Sequence, residues 1–216
     1  MTSENVSKGV AEFIGTFFLT LTIFIAALGG QAGPEGVLAP AAIGLTLMVM
    51  IYALGHVSGA HFNPAVSIGL FVKGDCSKDE LPVYLGAQIL AGVMAWIIGS
   101  KVILSDLTID EFDFGATKAV LAAEALFTFA LVYVIINVAT EQSGNQFYGA
   151  AIGLTVMAGA FTVGGISLGS FNPAVTTMLA ASGKMAIADT WMHIAPQLAG
   201  AIAAVYVHKA TQDAAE

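Results

Sequence analysis

The stretch GHVSGAHFNPAVS, beginning at Gly55, returns as GGISLGSFNPAVT, beginning at Gly164. Seven of the thirteen positions are identical without a gap, so the chain carries an internal repeat. Both copies hold the tripeptide Asn-Pro-Ala, at Asn63-Pro64-Ala65 and Asn172-Pro173-Ala174. Proline at the first helical position gives up an N–H that would be unpaired anyway, and asparagine before it is a good helix cap. Each box therefore predicts the start of a short helix, over 64–71 and 173–180. Each start lies between long apolar segments. Two half-helices whose positive ends project into a bilayer make a pore or a binding site.

Composition fixes the class. The chain is 57% hydrophobic and only 10% charged, with mean hydropathy +0.83, against about 25% charged residues in a soluble domain. Segments 10–28, 38–56, 81–103, 119–139, 147–166 and 187–208 approach the about 20 residues that cross about 30 Å of hydrocarbon. The expected fold is an all-α membrane protein with six transmembrane helices and two re-entrant half-helices. One domain is expected over 1–216, with repeats at about 8–103 and 117–209. Backbone at membrane depth must find partners, so the half-helices are packed inside the protein or line water.

The polar first nine residues and the span that follows show no secretory signal, since no small-residue cleavage site appears. Cys76 is single, so no intrachain disulfide forms. A formal charge of −8 argues against nucleic acid as a partner. With an even number of spans, Lys8, Lys73, Lys78 and Lys209 fall on one side and Lys101, Lys118 and Lys184 on the other. The first group, the slightly richer, is placed inside. An integral protein of the plasma (inner) membrane with both termini cytoplasmic is expected.

The repeat reaches beyond the boxes. AEFIGTF from Ala11 matches AEALFTF from Ala123, setting Glu12 against Glu124, and AQILAG from Ala87 matches PQLAG from Pro196, setting Gln88 against Gln197. Each half holds three crossings, an odd number, so the second half is inverted relative to the first. The two box helices then enter from opposite faces and their N-termini meet near the midplane. Glu12 and Glu124 are intramembrane carboxylates, functional by default. The favoured reading here is that each braces the irregular backbone leading into a box helix by accepting its N–H groups. His61 either lines a pore or packs beneath the first box, while His193 and His208 are expected at the interfaces. Gly86, Gly92, Gly149, Gly153 and Gly200 are expected on helix contact surfaces. No metal-ligand spacing, catalytic constellation or phosphate loop appears, so neither a cofactor nor enzymatic activity is expected.

This pattern resembles the aquaporin (major intrinsic protein) family over essentially the whole chain. The paired boxes carry the resemblance, with AEFIGTF, GHVSGAHFNPAV and PQLAG beside them. It implies a homotetramer in the lipid bilayer with one pore per subunit. It also implies that Asn63 and Asn172 donate to the passing solute at the midplane. The carbonyls of Gly59, Ala60, His61 and Phe62, and of Leu168, Gly169, Ser170 and Phe171, would form an acceptor row. Water would pass along that row opposite an apolar wall, while the two helix ends, each worth about half a positive charge, oppose cations and protons.

One departure concerns the family's outer filter, which usually contains an aromatic residue and an arginine just after the second box. Aligned from the boxes, the filter positions are Ile43, Ala160, Gly169 and Val175. Val175 replaces the arginine, and all seven basic residues are lysines. Lys184, nearest in sequence, is not expected to reach the pore. A filter of Ile, Ala, Gly and Val is wider and more apolar than a strict water filter. Within the family it is closest to plant vacuolar-type members, and ammonia, urea and hydrogen peroxide join water as expected solutes. Thr176 stands where glycerol facilitators carry Asp. Phe112 or Phe114 of the 105–117 loop could fold over the mouth and narrow it. The alternative reading is a selective facilitator or secondary transporter for a small neutral solute, since broken helices in inverted repeats also suit alternating access.

Overall fold

Extended backbone at Asn63 (φ −158°, ψ 120°) and Asn172 (φ −156°, ψ 115°) turns into helix at the proline that follows each. Each Asn side chain accepts from the N–H two residues on, Ala65 and Ala174, both at 2.9 Å. Each cap thus satisfies one of the orphan donors of a first helical turn.

The computed structural model describes residues 2–213; residues 1 and 214–216, the ends of the expected single domain, lie outside the described residues. In chain order the helices are α1 (Ser3–Ile23), α2 (Ala39–Ser58), α3 (Pro64–Lys73), α4 (Leu81–Ile98), α5 (Thr117–Ile135), α6 (Tyr148–Ser167), α7 (Pro173–Ala181) and α8 (Trp191–Asp213). No strand occurs among the described residues. A π-helical turn extends α1 over Phe24–Leu28 and, at the matching place in the second half, α5 over Ile136–Thr140. With 10 and 9 residues, α3 and α7 are too short to cross.

Six crossings were expected, and five of the long helices are both long and apolar enough for the purpose. The sixth, α8, has 23 residues, about 34 Å at 1.5 Å per residue. Its hydropathy is lowered by His193, Gln197 and His208, all three of which are buried. The two histidines, expected at the interfaces, have buried side chains, His208 beside the exposed Glu141 and His193 against Phe114 of the 105–117 loop.

The two halves repeat one packing pattern and interlock. Helix α1 packs on α2 and α4 as α5 packs on α6 and α8, and α2 meets α6 across the centre. The half-helices cross over, with α3 seated against α8 and α7 against α4. At the α2–α6 crossing a Cβ on Gly44 would lie 2.6 Å from the Gly153 carbonyl oxygen, and one on Gly153 would overlap that of Gly44. Only glycine permits this approach. Gly92, Gly149 and Gly200 also sit at close contacts, whereas Gly86, expected among them, faces nothing within 4 Å. Val10, Phe18, Leu45, Leu90, Leu126, Leu154 and Phe161 project outward, an apolar exterior suited to lipid.

Lys8 pairs with Glu80 at 2.6 Å, Lys73 with Glu141 at 2.8 Å, and His208 approaches Glu141 at 3.4 Å. The start of α1 and the ends of α3, α5 and α8 therefore share one face, the terminal face. The opposite, loop face carries the 105–117 segment.

Candidate pore

Irregular backbone before each box forces unusual conformations. Ala60 (φ 55°) and Phe62 (φ 50°) in the first half, and Leu168 (φ 63°) and Phe171 (φ 48°) in the second, occupy the left-handed region without being glycine. Such residues persist only where their surroundings over-determine them.

A buried carboxylate supplies the restraint on each side. Glu12 accepts from Ser58 Oγ (2.7 Å), His61 N (2.9 Å), Phe62 N (2.6 Å) and Gln88 Nε2 (2.8 Å). Glu124 accepts from Ser167 Oγ (2.6 Å), Ser170 N (3.1 Å), Phe171 N (2.8 Å) and Gln197 Nε2 (2.7 Å). Both glutamates are fully buried. An unpaired N–H at this depth would cost several kcal/mol. Each glutamine also reaches the hydroxyl one helical turn into the box helix, Ser67 (2.9 Å) or Thr176 (3.2 Å). The second hydroxyl at this network, Thr176, sits behind the box and away from the cavity lining.

Across the centre, Asn63 Nδ2 donates to the Phe171 carbonyl at 2.8 Å, and Asn172 Nδ2 donates to the Phe62 carbonyl at 2.9 Å. The tips of the half-helices therefore touch. An amide nitrogen carries two N–H groups, so each Asn keeps a second donor on the wall of the cavity it lines. The Phe62 and Phe171 carbonyls each use one of two lone pairs in these bonds.

That cavity is small, about 70 Å³. The four expected filter positions, Ile43, Ala160, Gly169 and Val175, all lie on its wall together with both Asn residues. Ala160 and Gly169 approach closely, since a Cβ on Gly169 would lie 3.3 Å from the Ala160 Cα. Of the expected carbonyl row, Ala60, His61, Phe62, Leu168, Gly169, Ser170 and Phe171 line the cavity, and Gly59 lines a vestibule instead. Leu19, Ile23, Leu47, Leu131, Ile152 and Val156 supply an aliphatic remainder. The other box residues, Pro64, Ala65, Pro173 and Ala174, are buried behind the wall.

Vestibules adjoin both ends. The one on the terminal face, about 290 Å³, shares His61 and Ile135 with the central cavity, and the one on the loop face, about 180 Å³, shares Ala27. Lys184, not expected to reach the pore, does not line the central cavity but lines the loop-face vestibule. Phe112 and Phe114 do not line the central cavity. Phe114 instead packs with Val175, Met178 and Met185 and against His193 at 5.2 Å. The loop lies on the outer end of α7, and Thr108, Ile109 and Asp110 are what it brings to the vestibule.

The sequence profile of the Major intrinsic protein family matches residues 1–159 and 140–215. The chain is 31% identical over 212 residues to the probable NIP-type aquaporin of Nicotiana alata, covering 94% of this chain and 77% of the relative. It is 32% identical over 215 residues to aquaporin NIP1-1 of Zea mays, with 94% and 74% covered. Among solved structures, the aquaglyceroporin from Plasmodium falciparum superposes with TM-score 0.75 at 24% identity over 94% of each chain, a likeness of fold. These plant relatives are of the NIP type, so the vacuolar-type likeness drawn from Val175 alone is not the one they show. The profile spans nearly the whole chain and the architecture agrees with it: the chain belongs to the major intrinsic protein family of membrane channels.

Proposed function

We propose that the chain is a passive channel for water that also conducts small neutral solutes such as ammonia, urea and hydrogen peroxide. The supporting observation is the pair of cross-bonded Asn caps, Asn63 to Phe171 and Asn172 to Phe62, set in the wall of a small cavity that Val175 also lines. A solute in single file meets backbone acceptors on one side and aliphatic side chains on the other. Two helix N-termini at the midplane oppose cations. With Ile43, Ala160, Gly169 and Val175 at the expected filter, no guanidinium narrows the passage or donates to a solute.

The working unit is a homotetramer in the plasma (inner) membrane, the terminal face is cytoplasmic, and one domain spans the chain with its repeats at about 8–103 and 117–209. The names of the plant relatives and of the Plasmodium aquaglyceroporin support a channel for water and small solutes. Glu12 and Glu124, the groups a proton-coupled carrier would need, already accept four hydrogen bonds each, which favours bracing over coupling. Stopped-flow comparison of water, urea, ammonia and glycerol in proteoliposomes tests the reading. Water and at least one of ammonia or urea should pass faster than through protein-free vesicles, and passage of none of them would overturn it.

A further inference from the structure

With seven lysines and no arginine, any fixed cation at the loop-face mouth must be a lysine. Lys101 and Lys118 are exposed, whereas Lys184 lines the loop-face vestibule beside Ala27, which also lines the central cavity. The chain reversal after α7 delivers it there: Lys184 N donates to the Leu179 carbonyl at 3.0 Å, next to Gly183 at φ 77°. Its Nζ donates to the Asp110 carbonyl at 3.0 Å and lies 5.8 Å from the Phe112 ring centroid. Phe112 N donates back to the Lys184 carbonyl at 2.9 Å. A flexible side chain is thus held in one place by neutral partners. Among the described residues its charge is not cancelled by any ion pair.

We infer that Lys184 supplies the cation-repelling charge at the loop-face mouth, a selectivity determinant standing outside the filter positions. The inference rests on the channel reading above. A neutral solute passes a fixed ammonium group at little cost, while a cation entering the vestibule that Lys184 lines meets its field at close range. Asp106, Glu111 and Asp113 on the same loop are exposed, so their fields are screened within about 8 Å at physiological salt. Asp110, also exposed, lines the same vestibule, yet among the described residues its carboxylate forms no ion pair with Lys184. Cation exclusion in this chain therefore has two stages, Lys184 first and the half-helix tips second.

The test is potassium conductance alongside osmotic water permeability in proteoliposomes. Lys184→Glu should raise potassium conductance by at least about threefold at low ionic strength, with Lys184→Met rising less, as expected for removing or reversing one charge near the path. The rise should shrink in high salt, and Lys184→Arg should behave as wild type. Water permeability should stay within about twofold throughout, since water carries no charge for the ammonium to repel. Thr108→Lys, placed on the same vestibule wall, should restore exclusion to Lys184→Met without the Asp110 tether. Unchanged potassium conductance in Lys184→Glu that still conducts water would overturn the inference. So would failure of Thr108→Lys to restore exclusion. Absence of water flux in the wild type would count against the channel reading instead.

Discussion

His193 stands in the second half where Tyr84 stands in the first. Tyr84 Oη donates to the Ser58 carbonyl at 2.6 Å, and His193 Nε2 donates to the Ser167 carbonyl at 2.7 Å. Each thereby satisfies the last carbonyl of the long helix that leads into a box. A phenol and an imidazole solve one problem at two symmetry-related places, and His193 adds an edge contact with Phe114 of the outer loop.

Removing either donor leaves a buried carbonyl unpaired, which costs about 1–3 kcal/mol. Tyr84→Phe and His193→Phe should each lower the Tm of the detergent-solubilised protein. His193→Gln should recover part of the loss through its own N–H. An unchanged Tm in both phenylalanine variants would show that water replaces these bonds.

The carboxylates matter more. Glu12→Ala or Glu124→Ala releases two backbone N–H groups, a hydroxyl and an amide at once. The strained left-handed residues then lose their restraint. Folded yield should collapse, and Glu→Gln, which brings a donor against Gln88 or Gln197, should cost at least about 2 kcal/mol. Fluorescence-detected size exclusion checks this, and wild-type yield with wild-type water flux would contradict the bracing role.

At the filter, Val175→Arg should cut urea or ammonia flux at least about fivefold more than water flux, on the order of 1 kcal/mol of added barrier. Equal reductions, or none, would remove Val175 from the selective region. Stopped-flow measurements on the same vesicles give both numbers.

Acid should weaken one clasp on the terminal face. The Lys8 ammonium beside Glu80, with hydrogen bonds from Ser77, holds that carboxyl at about 2, below its ordinary 4.5. A depressed carboxylate stabilises the fold fully above its unfolded value and loses that contribution as pH falls from about 4.5 towards 2. Glu80→Gln should therefore be less stable than wild type at pH 7 and converge with it near pH 2. A Tm difference independent of pH would contradict the pairing. The side chain is partly exposed, so the effect is modest.

How much of this was legible in sequence depends on range. The Asn-Pro-Ala caps act over three residues, and the half-helices began at Pro64 and Pro173, as those caps predict. The inverted architecture followed from an odd number of crossings per half. Gln88 and Gln197 could be matched across the repeat, but their reach to Ser67 and Thr176 depends on how α4 and α8 rotate. Tyr84 and His193 differ in residue type, so the repeat hid their equivalence. Only a spacing of 109 residues, shared with the boxes and the glutamines, could have exposed it. The place of Lys184 in the vestibule was not legible because a turn through Gly183 and a bond to a distant loop carbonyl decide where its ammonium lies. No local pattern encodes that contact.

The central claim is passive conduction through a preformed path between two touching helix tips. Its most direct measurement is the temperature and concentration dependence of flux in proteoliposomes containing the wild-type protein. The account predicts an activation energy for water well below that of the protein-free bilayer, and urea flux rising in proportion to the gradient. Saturating solute flux, or a water activation energy equal to that of bare lipid, would contradict it.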